Sequence, residues 1–170
     1  MTESLNQLLK ESFCKNWTHK ALCDLGKSPI TYGEAAQQIA RIQLFMKEVG
    51  INPQDKVALC GKNSANWAIA FLATISYGAI PVPILNDFKP ESIHNIVNHS
   101  DARLMWLDDA ILNAVNIEEM PSLEIVMQLN NLSYVYSKDE QIGNIYASLD
   151  EAFAQKYPQF GIDDLVFHQD

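Results

Sequence analysis

The sequence predicts a doubly wound α/β domain with a mostly parallel sheet, and three observations point to it. From residue 57 onward, short apolar runs alternate with segments of helical period. The runs are nearly continuous in apolar character, as expected of strands covered on both faces. Strands joined through helices must return in the right-handed sense to a parallel neighbour. At 170 residues, 48% of them hydrophobic, the chain is long enough to bury its own core without a metal or disulfides.

Taken in order, Leu5, Leu8, Leu9, Ser12 and Phe13 have helical spacing, and Ser4 with Gln7 reads as a capping box, so a leader helix spans about residues 5–15. The runs at residues 21–25 and around Ile30, separated by Gly26, Lys27, Ser28 and Pro29, predict a hairpin. Thr31 and Glu34 form a second capping box. It opens a helix whose apolar stripe is Tyr32, Ala35, Ala36, Ile39, Ile42, Phe45, Met46 and Val49, closed by Gly50 in the left-handed conformation. Gln37, Gln38, Arg41 and Glu48 make its solvated face. The α/β rhythm follows: strands at 57–60, 79–84, 103–107 and 123–127, and helices at 65–77, 90–98 and near 109–115. Residues 130–147 show no clear period and read as a functional loop or a hairpin excursion. A final helix is capped by Ser148 and Glu151. The expected organisation is one domain: residues 1–50 carry the leader helix, hairpin and capped helix, residues 51–128 the parallel core, and residues 129–170 the irregular segment and last helix.

Composition excludes several functions. With 12 Lys and Arg against 21 Asp and Glu, the net charge is −9, which repels a phosphate backbone, so no nucleic acid partner is expected. Cys14, Cys23 and Cys60 are odd in number and lack CxxC spacing, so neither a disulfide framework nor a zinc site is indicated, and a reduced, cytoplasmic protein is expected. The amino terminus lacks the positive leader of a signal peptide. Residues 63–86 hold no charge and are long enough to cross a bilayer. Gly78, Pro81 and Pro83 break that stretch, which therefore reads as a buried helix and a buried strand, with no transmembrane segment.

Candidate chemistry is sparse. Gly61, Lys62, Asn63 and Ser64 lie between a strand and a helix, where a phosphate loop would sit. The P-loop pattern fails, because Lys56 and Asn63 occupy its glycine and hydroxyl positions. A turn with Asn63 or Ser64 capping the next helix is expected instead. His94 and His99 are five apart and face different directions on a helix. These two, with His19 and His168, are expected at the surface. Asp108 and Asp109 read as helix-start carboxylates, and Glu118 with Glu119 lack calcium-loop spacing. Trp67, Phe71 and Tyr77 mark a core helix rather than a stacking platform. No catalytic, cofactor-binding or metal-binding residue is assigned.

One block adds to this. The TYGE segment at Thr31–Glu34, the run KVALCGKNSANWAIAFLATISYGAIPVPI, and the PESI helix followed by DARLMWL occur in an order and spacing that resemble the beginning of adenylate-forming enzymes, most closely the long-chain fatty-acid CoA ligases. SLNQLLKESF looks like the leader helix of bacterial members. The resemblance implies a reaction in which a fatty acid attacks the α-phosphate of ATP to give acyl-AMP and pyrophosphate, after which coenzyme A displaces AMP. It implies ATP, Mg²⁺ and coenzyme A as cofactors of a longer parent. The family's Gly/Ser/Thr-rich phosphate loop has no counterpart in these residues. The chain is therefore expected to be an inactive amino-terminal subdomain that binds none of them, its partner being the rest of the polypeptide, with peripheral membrane contact by the intact enzyme an open alternative. A free-standing interaction or regulatory domain of the same fold, and a ligase for another carboxylic acid, are the other readings.

Overall fold

The computed structural model of the chain describes residues 4–168. Helix α1 (Leu5–Lys15) leads into two short antiparallel strands, β1 (Lys20–Leu22) and β2 (Ile30–Thr31), and then into the long helix α2 (Tyr32–Glu48). The α/β succession is β3 (Lys56–Cys60), α3 (Ala65–Tyr77), β4 (Ile80–Ile84), α4 (Pro90–Ser100), β5 (Leu104–Leu107), the single-turn α5 (Asp109–Leu112) and β6 (Ile125–Gln128). Strand β7 (Ser133–Ser137) and helices α6 (Glu140–Ala147) and α7 (Leu149–Lys156) follow.

The main sheet runs β4-β3-β5-β6-β7, with the first four strands parallel and β7 antiparallel to β6. Successive strand residues face opposite layers. Val57, Leu59, Leu104 and Trp106 join the core beneath α2 and α3. Ala58, Cys60, Met105 and Leu107 join the core beneath α4 and α5. The expected doubly wound architecture is present. Strand β4 forms one edge. Ile80 donates its N–H to Asp55 on the β3 side, so alternation turns Pro81 and Pro83 toward the open edge, where their missing donors cost the ladder nothing.

Several local expectations need correction. Residues 130–147 are not irregular: of the two readings the hairpin holds, since β7 returns antiparallel to β6, and α6 follows with Asp139 accepting from the Gln141 N–H. Strand β1 ends at Leu22 rather than residue 25, because the chain turns there and carries Asp24 to the start of α3. Ser4 does cap α1, but Gln7 bonds Glu11 instead of closing a box. The Ser148 hydroxyl bonds back to the Asn144 and Ile145 carbonyls, so it does not cap α7 through its side chain. Arg41 is not simply solvated; it pairs with Asp150 and lies over the Tyr146 ring. The box at Thr31 and Glu34 and the left-handed Gly50 are as expected.

A carboxyl-terminal strap stitches the helices together. Leu165 and Phe167 are buried, the Gln43 amide donates to Ser76 Oγ and the Val166 carbonyl, and the Asn6 amide donates to the His168 carbonyl. Among the described residues, no helix is long and apolar enough to cross a membrane.

Candidate functional site at the reversal of strand order

From β3 the chain moves outward to β4 and then returns past β3 to β5, so strand order reverses between β3 and β5. In open α/β sheets the crevice outside the carboxyl ends of such strands is the favoured ligand site. Here the loop Gly61–Ser64 leaves β3, Asp108 leaves β5, and the β1–β2 hairpin overhangs them. Together they frame a crevice of about 340 Å³ lined by Asp24, Lys27, Lys62, Ser64, Asn66 and Asp108 among others.

Each carboxylate oxygen in the crevice already has a donor from the chain. Asp108 takes the Ile111 N–H on one oxygen, capping α5, and the Lys62 N–H on the other. Asp109 receives the side-chain amides of Gln128 and Asn130. Asp24 receives the Ala65 N–H at 2.7 Å on one oxygen and the Lys27 ammonium at 3.1 Å on the other. The Ala65 amide, then Lys27, hold the Asp24 carboxyl below its ordinary value. Ser64 Oγ accepts the Trp67 N–H and completes the cap of α3, as the turn reading of residues 61–64 predicts; Asn63 is not the cap. Gly61 sits in a tight place, since a Cβ there would lie 2.6 Å from Leu129 Cδ1 and 3.3 Å from Asp108 Cβ and the Leu129 side chain would have to shift.

These contacts decide what the crevice can do. A helix N-terminus binds phosphate through free amides and its positive dipole end, but the start of α3 is occupied by the chain's own carboxylate and hydroxyl. A divalent cation wants unsatisfied oxygens, and those of Asp24, Asp108 and Asp109 are engaged. Among the described residues, no group of three or more His, Cys, Asp or Glu side chains could hold a metal. The buried Cys60 is no nucleophile: burial, then the Asp108 charge, push its thiol up to about 12. The carboxylates of the crevice therefore offer no free ligand set to a divalent cation.

The other sequence candidates are scattered. His19 and His99 are exposed and His168 is half-buried against Gly78. His94 corrects the surface expectation. It is buried beneath α4, its Nε2 accepts the Asn116 N–H at 3.0 Å, and its Nδ1 stands 3.0 Å from a Glu119 oxygen at an angle that makes no directed hydrogen bond. Accepting a backbone N–H fixes Nε2 as the unprotonated nitrogen, so His94 is a joint between α4 and the turn at residues 117–119. Glu118 and Glu119 sit on that turn. Trp67 and Phe71 stack at 5.3 Å, but on the partly exposed side of α3, which is a core helix on one side only. Position within a helix gave no signal for the pairing of Asp24 with α3, which depends on the hairpin's fold-back.

Comparison with known proteins agrees with the fold. The family model described as AMP-binding enzyme matches residues 11–166. Probable CoA ligase CCL6 of Humulus lupulus is 23% identical over 130 residues, covering 74% of this chain and 20% of that protein. The crystal structure of the anthranilate CoA ligase AuaEII in complex with anthranoyl-AMP superposes with a TM-score of 0.68 at 18% identity, covering 79% of this chain and 28% of that one. A long-chain-fatty-acid-CoA ligase, FadD1 from Archaeoglobus fulgidus, gives a TM-score of 0.68 at 17% identity over 87% of this chain and 30% of that one. The chain thus spans less than a third of the length of each of these proteins. Its sheet and flanking helices match the N-terminal subdomain of acyl-CoA-ligase-like structures. Matched along nearly all of its length, the chain belongs to the AMP-binding enzyme family.

Proposed function

We propose that this chain is the amino-terminal supporting segment of an ATP-dependent acid–CoA ligase, and that the acid is a long-chain fatty acid. The parent enzyme would join fatty acid and coenzyme A through an acyl-adenylate, releasing AMP and pyrophosphate. The observation that carries the supporting role is the crevice: Asp24, Asp108 and Asp109 spend their oxygens on chain donors, so these residues hold β3, β5 and α3 in register and leave no free carboxylate there. ATP, Mg²⁺ and coenzyme A would then be held by residues outside this chain. The fatty-acid reading rests on the sequence block at residues 31–107. An acid of another class is the second reading, favoured by the equal likeness to an anthranilate ligase and a long-chain ligase. Cys14, Cys23 and Cys60 are free thiols, and the cytoplasm, where thiols stay reduced, is the compartment proposed.

The test is acid-dependent exchange of labelled pyrophosphate into ATP, run on the 170-residue chain and on the longer gene product. Exchange by the longer protein alone supports the reading, and exchange by the short chain refutes it. Fatty acids of graded length and anthranilate, compared on the longer protein, decide between the two acid classes.

A further inference from the structure

A cleft of about 420 Å³ opens where the last turns of α2, α3 and α7 meet the carboxyl-terminal strap. The residues that lead into β3 line it too, so it lies toward the amino end of the sheet, away from the crevice at the carboxyl ends. Its volume is that of a small-molecule site. Leu44 and Ile51, both buried, supply apolar lining, and the half-buried Tyr77 and Tyr157 add aromatic lining. Bonds within the chain preform the walls. The Tyr77 hydroxyl donates to the Ile51 carbonyl at 2.7 Å, the Gln43 amide ties α2 to Ser76 and to the strap, and the His168 N–H donates to the Ser76 carbonyl at 2.7 Å.

Charge sets this cleft apart. In a chain of net charge −9, its lining includes Lys47 and Lys156 and no Asp or Glu. The clefts that hold Lys62, Lys138 and Arg41 each contain carboxylates as well. Among the described residues, neither the Lys47 nor the Lys156 ammonium is paired with a carboxylate. Lys156 Nζ stands 5.0 Å from the centroid of the Tyr157 ring, which holds that charge beside the cleft. Both lysines end helices, but a full ammonium charge exceeds the charge of about one half at a helix end. The last carbonyls of α2 and α3 are moreover engaged by the N–H groups of Val49, Gly50, Gly78 and Ala79.

The geometry points to an accessory binding site for an organic anion, a carboxylate carried on a compact apolar or aromatic body. The body displaces water from Leu44, Ile51 and the tyrosine rings, and the carboxylate meets Lys47 and Lys156. An inorganic anion leaves the apolar lining wet, and a neutral apolar molecule leaves two ammoniums without a counter-charge. The inference does not draw on the ligase reading, since binding is read whether or not the protein exchanges pyrophosphate.

The test is calorimetric titration of naphthalene-2-carboxylate, naphthalene-2-carboxamide and inorganic phosphate into the 170-residue chain and into the longer gene product at low salt. The carboxylate is expected to bind both proteins at one site, with the carboxamide and phosphate weaker by about tenfold or more. Lys47→Gln and Lys156→Gln should each weaken the carboxylate about three- to fivefold, and about tenfold together, while leaving the carboxamide unchanged. Lys138→Gln, outside the cleft, should change nothing, and melting should confirm that each exposed-lysine variant stays folded. Four results overturn the inference: no saturable binding of the carboxylate, equal affinity for carboxylate and carboxamide, a carboxylate affinity indifferent to both lysine variants, or binding by the short chain that is lost in the longer protein.

Discussion

Arg103→Met should weaken the fold at the amino-terminal end of the sheet. Arg103 sits just before β5, and its Nε and Nη2 donate at 2.9 and 2.8 Å to the two oxygens of Glu124, which precedes β6. Its Nη1 donates to Asp55, which precedes β3, and at 3.0 Å to the Gly50 carbonyl, where the chain leaves α2. One planar group therefore joins three strand beginnings and the end of a helix, a use for which a point-charge ammonium is poorly suited. The magnitude follows from exposure. The guanidinium is 28% exposed and its carboxylate partners 25% and 39%, so solvent screens each pair and re-solvates the partners when the arginine is gone. Counting about 1 kcal/mol for the two-pronged pair and about 0.5 kcal/mol for each of the other two bonds gives about 2 kcal/mol. Methionine retains the apolar stem, so the loss reports mainly on the charged head. Urea unfolding followed by the fluorescence of Trp17, Trp67 and Trp106 reads this as a lower midpoint at unchanged slope. Arg103→Lys should recover less than half of it, and the difference should shrink in ~1 M salt. A loss below about 0.5 kcal/mol would show that the network merely decorates the sheet end.

Three further outcomes test other parts of the fold. Alkylation at pH 8 should modify the exposed Cys23 rapidly and leave Cys60 untouched until the chain unfolds. Because the folded Cys60 thiol keeps its proton where the unfolded one ionises, its contribution is intact below pH 9 and lost as pH rises from about 9 toward 12; Cys60→Ala should flatten that alkaline decline by up to about 1.4 kcal/mol per pH unit. Asp24→Ala frees the Ala65 amide at the start of α3 and should cost about 0.5–1 kcal/mol in thermal or urea unfolding at neutral pH. The Asp24 carboxyl is held below its ordinary value, so its stabilisation is intact above about pH 4 and disappears as pH falls through the lower folded value; parent and variant should converge in strong acid. Gly61→Ala should lower stability by about 1–3 kcal/mol, since its methyl group would press on Leu129 and Asp108, and Leu129→Ala in the same chain should restore part of the loss, measured as melting temperature.

Legibility in the sequence followed the range of the interaction responsible. Helix α3 starts and ends where Ser64 and Gly78 predict, because caps and left-handed glycines act within one turn. The central strands were readable because Val57–Cys60 and Leu104–Leu107 are apolar on both faces, a property of the run itself. Strand β7 was not, since Ser133–Ser137 is a short edge strand whose mixed polarity becomes a pattern only against β6. Helix α6 was hidden by Gly143 in its interior, although Ile142, Ile145 and Tyr146 carry the spacing of a packed face. The candidate crevice was least legible of all. Gly61, Lys62, Ser64 and the acids at 108–109 could be named, but their meaning changes once Asp24 reaches across more than forty residues of chain to occupy the start of α3. His94 failed for the same reason, as its acceptor role depends on a turn more than twenty residues away.

The places where the chain is chemically closed, set against the place where it is not, bear on where reactive parts of a ligase can sit. At the amino ends of the strands, Arg103 closes the charges of Asp55 and Glu124. At the carboxyl ends, Asp24, Asp108 and Asp109 are closed by amides and one ammonium. At both ends of the sheet, a cation seeking these carboxylates would have to displace bonds already made at short range. The flank of α3 and β4 carries no charged side chain. Mutations at the strand tips, Arg103→Met and Asp24→Ala among them, should therefore lower the stability of this chain itself, read as a lower urea midpoint.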